Sequence, residues 1–222
     1  MLARAARVRR VTVAAVLATL LGILALAPGS SSGALERINV LDFFFDPDDV
    51  TFQVTPFGGP NFVWDWGGMA SDSTANEHNV VHKRGLFDSG SPTDTRDDFG
   101  LNVSAGKYPY FCEVHRFSED MKGRIRVPPV ITDGTEDSAK VHWAGDTTET
   151  GKRFDVRYRV DGGKWQTWRR DTKKFKGNFG RNDKPVAVDF AKHDYEVSAR
   201  SEKGKPSKKK RSGYSPPVDL EP

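Results

Sequence analysis

Tyr108-Pro109-Tyr110-Phe111-Cys112-Glu113-Val114-His115 runs from an alternating aromatic strand into side chains that bind metals. Aromatic residues at every second position suit a half-buried pleated strand. Met121-Lys122-Gly123 follows, and Gly123-Arg124-Ile125-Arg126-Val127 alternates again. Working outward, the same period-two pattern recurs in Arg37-Ile38-Asn39-Val40-Leu41, Val50-Thr51-Phe52-Gln53-Val54 and Phe62-Val63-Trp64-Asp65-Trp66. Asn79-Val80-Val81 and Leu101-Asn102-Val103 complete the set, with Gly, Pro, Asp and Ser between them. No stretch has a helical period. Residues 35–128 therefore read as an all-β sandwich of short strands.

Pro128-Pro129 marks a boundary, and residues 129–222 repeat the style. Lys140-Val141-His142-Trp143, Phe154 to Val160, Trp165-Gln166-Thr167-Trp168 and Tyr195 to Arg200 are strand-like, and Asp161-Gly162-Gly163 is a hairpin turn signal. A solvated loop at 203–211 precedes a last short strand near Tyr214.

Charge divides the chain of 222 residues in the same way. Residues 1–34 hold four arginines and no acid; 35–127 hold 9 Lys and Arg against 15 Asp and Glu; 128–222 hold 21 against 15. The body is near neutral but split into an acidic and a basic half, which argues for two domains with different surfaces and against a nucleic-acid binder. At the N-terminus, Arg4, Arg7, Arg9 and Arg10 precede an apolar run from Val11 to Ala27 and small residues from Gly29 to Ala34. This is the layout of a signal peptide, 1–34, with cleavage expected after Ser32-Gly33-Ala34. An uncleaved N-terminal anchor is the rival reading and the one route to a membrane. Either way the body is expected outside the cytoplasm. The single cysteine excludes an intramolecular disulfide and any cluster of several thiolates.

That cysteine lies among ligands. Cys112 and His115 are separated by two residues, Met121 follows, and Glu77-His78-Asn79 supplies a second imidazole upstream. Two imidazoles, a thiolate and a thioether are the donor set of a trigonal copper site with a weak axial sulfur. The thiolate gives a covalent path for an electron, the imidazoles suit both copper oxidation states, and the thioether favours Cu(I). His82 is expected to be a surface histidine rather than a ligand. His142 and His193 are expected to be structural or exposed.

Residues 36–127 resemble the cupredoxins of the plastocyanin, pseudoazurin and halocyanin type. The resemblance rests on Phe45-Asp46-Pro47, Val63-Trp64, His78-Asn79-Val80, Gly85 to Gly90 and Ala105-Gly106-Lys107-Tyr108 leading into Phe111-Cys112. It implies a Greek-key sandwich holding one type 1 copper on His78, Cys112, His115 and Met121. It implies too that Asn79 ties the two ligand loops together. One departure is the spacer between His115 and Met121, which has five residues where four are usual; Glu119 is the alternative axial contact.

Residues 130–220 resemble a fibronectin type III module, an immunoglobulin-like sandwich. Trp143 stands at the core tryptophan, Tyr158 to Trp168 at the central hairpin, and Tyr195 at the tyrosine corner. Lys173 to Lys184 fits least well. Trp165 and Trp168 are read as hairpin or core packing rather than a sugar-stacking pair. The basic residues Arg169, Arg170, Lys173, Lys174, Lys176, Lys208, Lys209, Lys210 and Arg211 suit an anionic cell-surface polymer, a solvated face or the acidic half of the same chain.

The His-x-His pairs of a multicopper oxidase, the extra histidines of a copper nitrite reductase and any nucleophile–base pair are missing from the sequence. The expectation is therefore an electron carrier, not an enzyme, that meets a redox protein partner transiently. A copper-binding adhesion, storage or stress protein is the alternative.

Overall fold

A computed structural model describes residues 36–52, 54, 61–67, 76–94, 97–180, 186–204 and 210–220. The proposed signal segment, 1–34, lies outside them. The described chain is all-β, built as two sandwiches. No described helix is long and apolar enough to cross a membrane.

The first sandwich packs two four-stranded sheets. One runs β2-β1-β4-β6: β1 is Glu36–Leu41, β2 Phe44–Asp46, β4 Asn61–Asp65 and β6 Phe99–Asn102. The other runs β3-β8-β7-β5: β3 is Asp49–Thr51, β5 Val81–His82, β7 Gly106–Phe111 and β8 Lys122–Val127. The β1–β4 and β3–β8 pairs are parallel and the rest antiparallel. Alternation sends Ile38, Val40, Phe62, Trp64, Tyr108, Tyr110 and Ile125 into the core, each at most 2% exposed. The stretch around Asn79 makes less strand than its pattern predicts. Only Val81–His82 pairs with β7, because Val80 bonds back to Ser89 and His78 to Thr93 instead.

The second sandwich sets a three-stranded sheet, β13-β10-β9, against a sheet running β12-β11-β14-β15. Here β9 is Val130–Thr135, β10 Ser138–His142, β11 Arg153–Val160, β12 Gln166–Thr172, β13 Lys176–Phe179, β14 Tyr195–Lys203 and β15 Lys210–Arg211. Trp143, Phe154, Phe179 and Val197 are fully buried between the sheets. Asp161 and Gly162 both take positive φ, 49° and 67°, and turn β11 into β12 as a primed hairpin requires. The Tyr195 hydroxyl accepts from Asp189 N at 3.1 Å, six residues upstream, which is the tyrosine-corner geometry. The closing segment is split: β15 and β16 (Val218–Asp219) both pair with β14. Pro216 and Pro217, which have no N–H to donate, lie between them.

One expectation needs correction. Arg169 does not belong to the basic surface. The register shift between Val156 and Arg157 turns adjacent Trp168 and Arg169 inward, and Arg169, 4% exposed, lies over the Trp168 ring. Pro128 and Pro129, between β8 and β9, are buried, and Pro128 O accepts from Val54 N.

The sandwiches meet along the start of β7. Lys107 and Gly213 exchange both backbone bonds, at 3.0 and 2.9 Å, and Ala105 N donates to Trp143 O at 2.7 Å. Beneath them the Tyr108 hydroxyl, fully buried, donates to Ser104 O at 2.8 Å. It also meets the hydroxyls of Ser104, Thr150 and Ser201 at 3.0–3.2 Å. Burial pushes the Tyr108 pKa upward, so the hydroxyl keeps its proton. Tyr108→Phe should cost about 1–2 kcal/mol, because hydroxyls on both sandwiches lose a partner where water is excluded. Urea unfolding followed by far- and near-ultraviolet circular dichroism should show a lower midpoint at unchanged slope. An unchanged midpoint would mean that the network contributes nothing net.

Candidate metal centre

Cys112 directly follows β7 and keeps its register, so Tyr108, Tyr110 and Cys112 point to the same side. The chain then coils through two turns. Arg116 N donates to Cys112 O and Glu119 N to His115 O, both at 3.0 Å. Cys112 N donates to Met121 O at 3.1 Å, and Met121 N to His115 O at 3.3 Å. Asp120 takes φ 57°, a left-handed conformation that Asp tolerates, and leads into β8. These turns absorb the five-residue spacer and leave Met121 buried, its backbone stapled to Cys112 and His115.

His78 arrives from the other loop, fully buried and fixed by backbone bonds to Thr93. The three donors converge. Cys112 Sγ lies 3.8 Å from His78 Nδ1 and 3.7 Å from His115 Nδ1, and the two Nδ1 atoms are 3.1 Å apart. Donors placed about 2.0–2.3 Å from one ion at angles of about 100–120° stand roughly 3.1–4 Å apart, so the set fits one small soft-ligated ion. His78, Cys112 and His115 form the one group of clustered His, Cys, Asp or Glu ligand atoms among the described residues. Glu119, the alternative axial contact, is exposed and outside that group.

Around the donors, Asn79 does what the resemblance implies. Its Oδ1 accepts from Glu113 N at 2.9 Å and its Nδ2 donates to Gly90 O at 3.0 Å, which joins the His78 loop to the Cys112 loop. Burial holds the His78 pKa below its ordinary value, outweighing the nearby Asp42 carboxylate; the ring stays neutral and able to ligate. His115 is the most exposed of the three, at 9%. The exposed Phe43 ring contacts it, and exposed Val114 precedes it in the chain.

Two residues that sequence reasoning missed touch the site. Asp42 Oδ1 lies 3.3 Å from His78 Nε2, and the Phe43 ring stands edge-on to His115 at 5.2 Å and to His78 at 6.4 Å. The signal available was the run Phe43-Phe44-Phe45 at a turn, where three large apolar residues cannot all be inward.

His82 is not a surface histidine. It is 1% exposed, sits outside the donor group and accepts at Nδ1 from Arg84 N and Leu86 N, both at 3.2 Å. His142 is buried, and His193 is exposed beside Asp161.

No known protein-family model matches the chain. No curated protein matches it in sequence. Among solved structures, a two-domain fibronectin type III segment of chicken tenascin is 22% identical, covers 68% of this chain and 85% of its own, and has a TM-score of 0.28. The FN1–FN3 domains of chicken CNTN1 are 13% identical, cover 78% and 67%, and have a TM-score of 0.26.

Burial, with a smaller push from Arg84, lowers the His82 pKa from 6.5 to about 4. Between those values the unfolded chain binds the proton and the folded chain does not, so stability is full above pH 6.5 and falls as pH drops toward 4. From pH 7 to 4.5 the loss assigned to His82 is about 2 kcal/mol. His82→Asn, which keeps an acceptor for the two amides, should lose less stability over that interval in metal-free urea titrations. Equal acid slopes in both proteins would refute the assignment.

Proposed function

We propose that this chain is an exported type 1 copper protein of the cupredoxin kind that carries single electrons between redox partners. The observation that carries the reading is the convergence of Cys112 Sγ with the Nδ1 atoms of His78 and His115 inside a buried, prefolded β framework. Copper, when bound, would supply a one-electron couple, Cu(I)/Cu(II), and His78, Cys112 and His115 would hold it, with Met121 as the remaining sulfur donor.

The protein's own part is positional. Backbone bonds on both loops hold the donors in place, and the Asn79 bridge keeps the loops from parting, so little rearrangement accompanies a change of charge. His115, the most exposed of the three, offers a route to the surface beside the apolar side chains of Phe43 and Val114, which suit a small, transient encounter. Exposed Asp42 beside His78, and Glu113, Glu119 and Asp120 on the loop between Cys112 and Met121, favour a cationic redox partner, whose association slows as salt is added. The role is that of a carrier, not an enzyme. Export rests on the N-terminal pattern of arginines, apolar run and small residues. The second sandwich is a rigid attachment whose exposed lysines and arginines are available to an anionic surface polymer.

Titrating Cu(II) into the chain from Leu35 onward tests the reading. An intense thiolate-to-copper band with a narrow parallel hyperfine splitting should appear, bleach with ascorbate and return with oxidant. Cys112→Ser should abolish the band while leaving the metal-free fold intact by circular dichroism. A pale tetragonal spectrum in the parent chain, or the same colour in Cys112→Ser, would overturn the assignment.

A further inference from the structure

The turn between β1 and β2 reaches both imidazoles at once. Asp42 and Phe43 occupy it, and Phe43 takes φ 71°, an unfavourable conformation for a bulky residue. Asp42 Oδ1 lies 3.3 Å from His78 Nε2 and also receives Asn76 N at 3.5 Å. The neighbouring Phe43 ring stands perpendicular to His115 and nearly so to His78, at 90° and 86°, each imidazole meeting it edge to face. Phe43 is 39% exposed, whereas His78 and His115 behind it are 0% and 9% exposed.

The chemistry of a ligating imidazole gives these contacts a purpose. A neutral imidazole carries one proton, and the nitrogen without it is the donor to metal. A carboxylate at Nε2 holds the proton there and leaves the Nδ1 lone pair directed at Cys112 Sγ and His115 Nδ1. The edge contact with Phe43 restricts rotation of both rings about their outer bonds. Asp42 is half exposed, so its role is orientation rather than a strong buried ion pair.

We propose that the Asp42-Phe43 turn is a clamp that presets the site before metal arrives, Asp42 fixing the tautomer of His78 and Phe43 fixing the orientation of the His78 and His115 rings. Asp42 and Phe43 are positioning residues; neither supplies a donor atom. The clamp rests on the copper reading only for the identity of the metal, since the tautomer and ring order belong to the metal-free chain.

Long-range ¹⁵N–¹H spectra of the metal-free chain test it. His78 should carry its proton on Nε2 in the parent chain and in Asp42→Asn, which keeps an acceptor oxygen, and should become a mixture of tautomers in Asp42→Ala. Phe43→Ala should broaden the His115 ring signals, and Phe43→Leu should broaden them less. With Cu(II) added, Asp42→Ala should bind about tenfold more weakly at an unchanged metal-free melting temperature, a division that a purely structural role would not produce. A proton on Nδ1 of His78 in the parent chain, or spectra indifferent to both alanine variants, would overturn the clamp. An ordered Nε2–H tautomer that responds to Asp42→Ala in a chain that takes up no copper would uphold the clamp and sink the copper reading.

Discussion

The register of β7 is the constraint on which both ends of the structure depend. Residues at spacing two share a face. Tyr108, Tyr110 and Cys112 are therefore committed together to the interior of the first sandwich. At one end Tyr108 enters the hydroxyl network shared with Thr150 and Ser201, where the two sandwiches meet. At the other end Cys112 delivers its sulfur to two imidazoles. A one-residue slip would turn all three side chains outward and lose the interface and the donor set together. The six residues of β7 span about 20 Å, so the junction and the donors occupy opposite ends of one rigid strand.

Burial then decides what each polar group can do. His78 and His82 are four residues apart, both almost fully buried, and both held neutral by loss of water. Their neighbours separate them. The Nδ1 of His82 is used by two backbone amides, whereas the Nδ1 of His78 faces a sulfur and another imidazole. His82 is a structural acceptor, and His78 keeps its Nδ1 within a group of atoms that could hold a metal ion. Similar burial with different partners gives different chemistry.

That distinction explains what was legible in the sequence. Alternation and turn residues were enough for the all-β sandwiches and for the β11–β12 hairpin at Asp161-Gly162, because each depends on local stereochemistry, whereas the Tyr195 corner came from the resemblance to a fibronectin type III module. The donors His78, Cys112 and His115 were legible because their residue types are uncommon together and two are close in sequence. The roles of Asp42 and Phe43 were not, since 36 residues separate Asp42 from His78 and only the folded β1–β2 turn closes that distance. The burial of His82 and Arg169 was missed for another reason. Strand alternation assigns faces only while the register holds, and His82 lies where β5 gives way to a turn, while Arg169 lies at a register shift in β12.

The joint between the sandwiches bears on why a basic module should be carried by an acidic one. A flexible linker would leave the two halves free to face each other, and their opposite charges would favour collapse of the basic half onto the acidic one. The reciprocal Lys107–Gly213 pair, the Ala105–Trp143 bond and the buried Pro128-Pro129 segment remove that freedom. They attach the second sandwich at the Gly106 end of β7, away from Cys112. The loop that carries Cys112 and His115 lies at the other end of that strand, and Arg170 and Lys173 are exposed on the second sandwich. Rigid separation lets one chain present both charges without neutralising either.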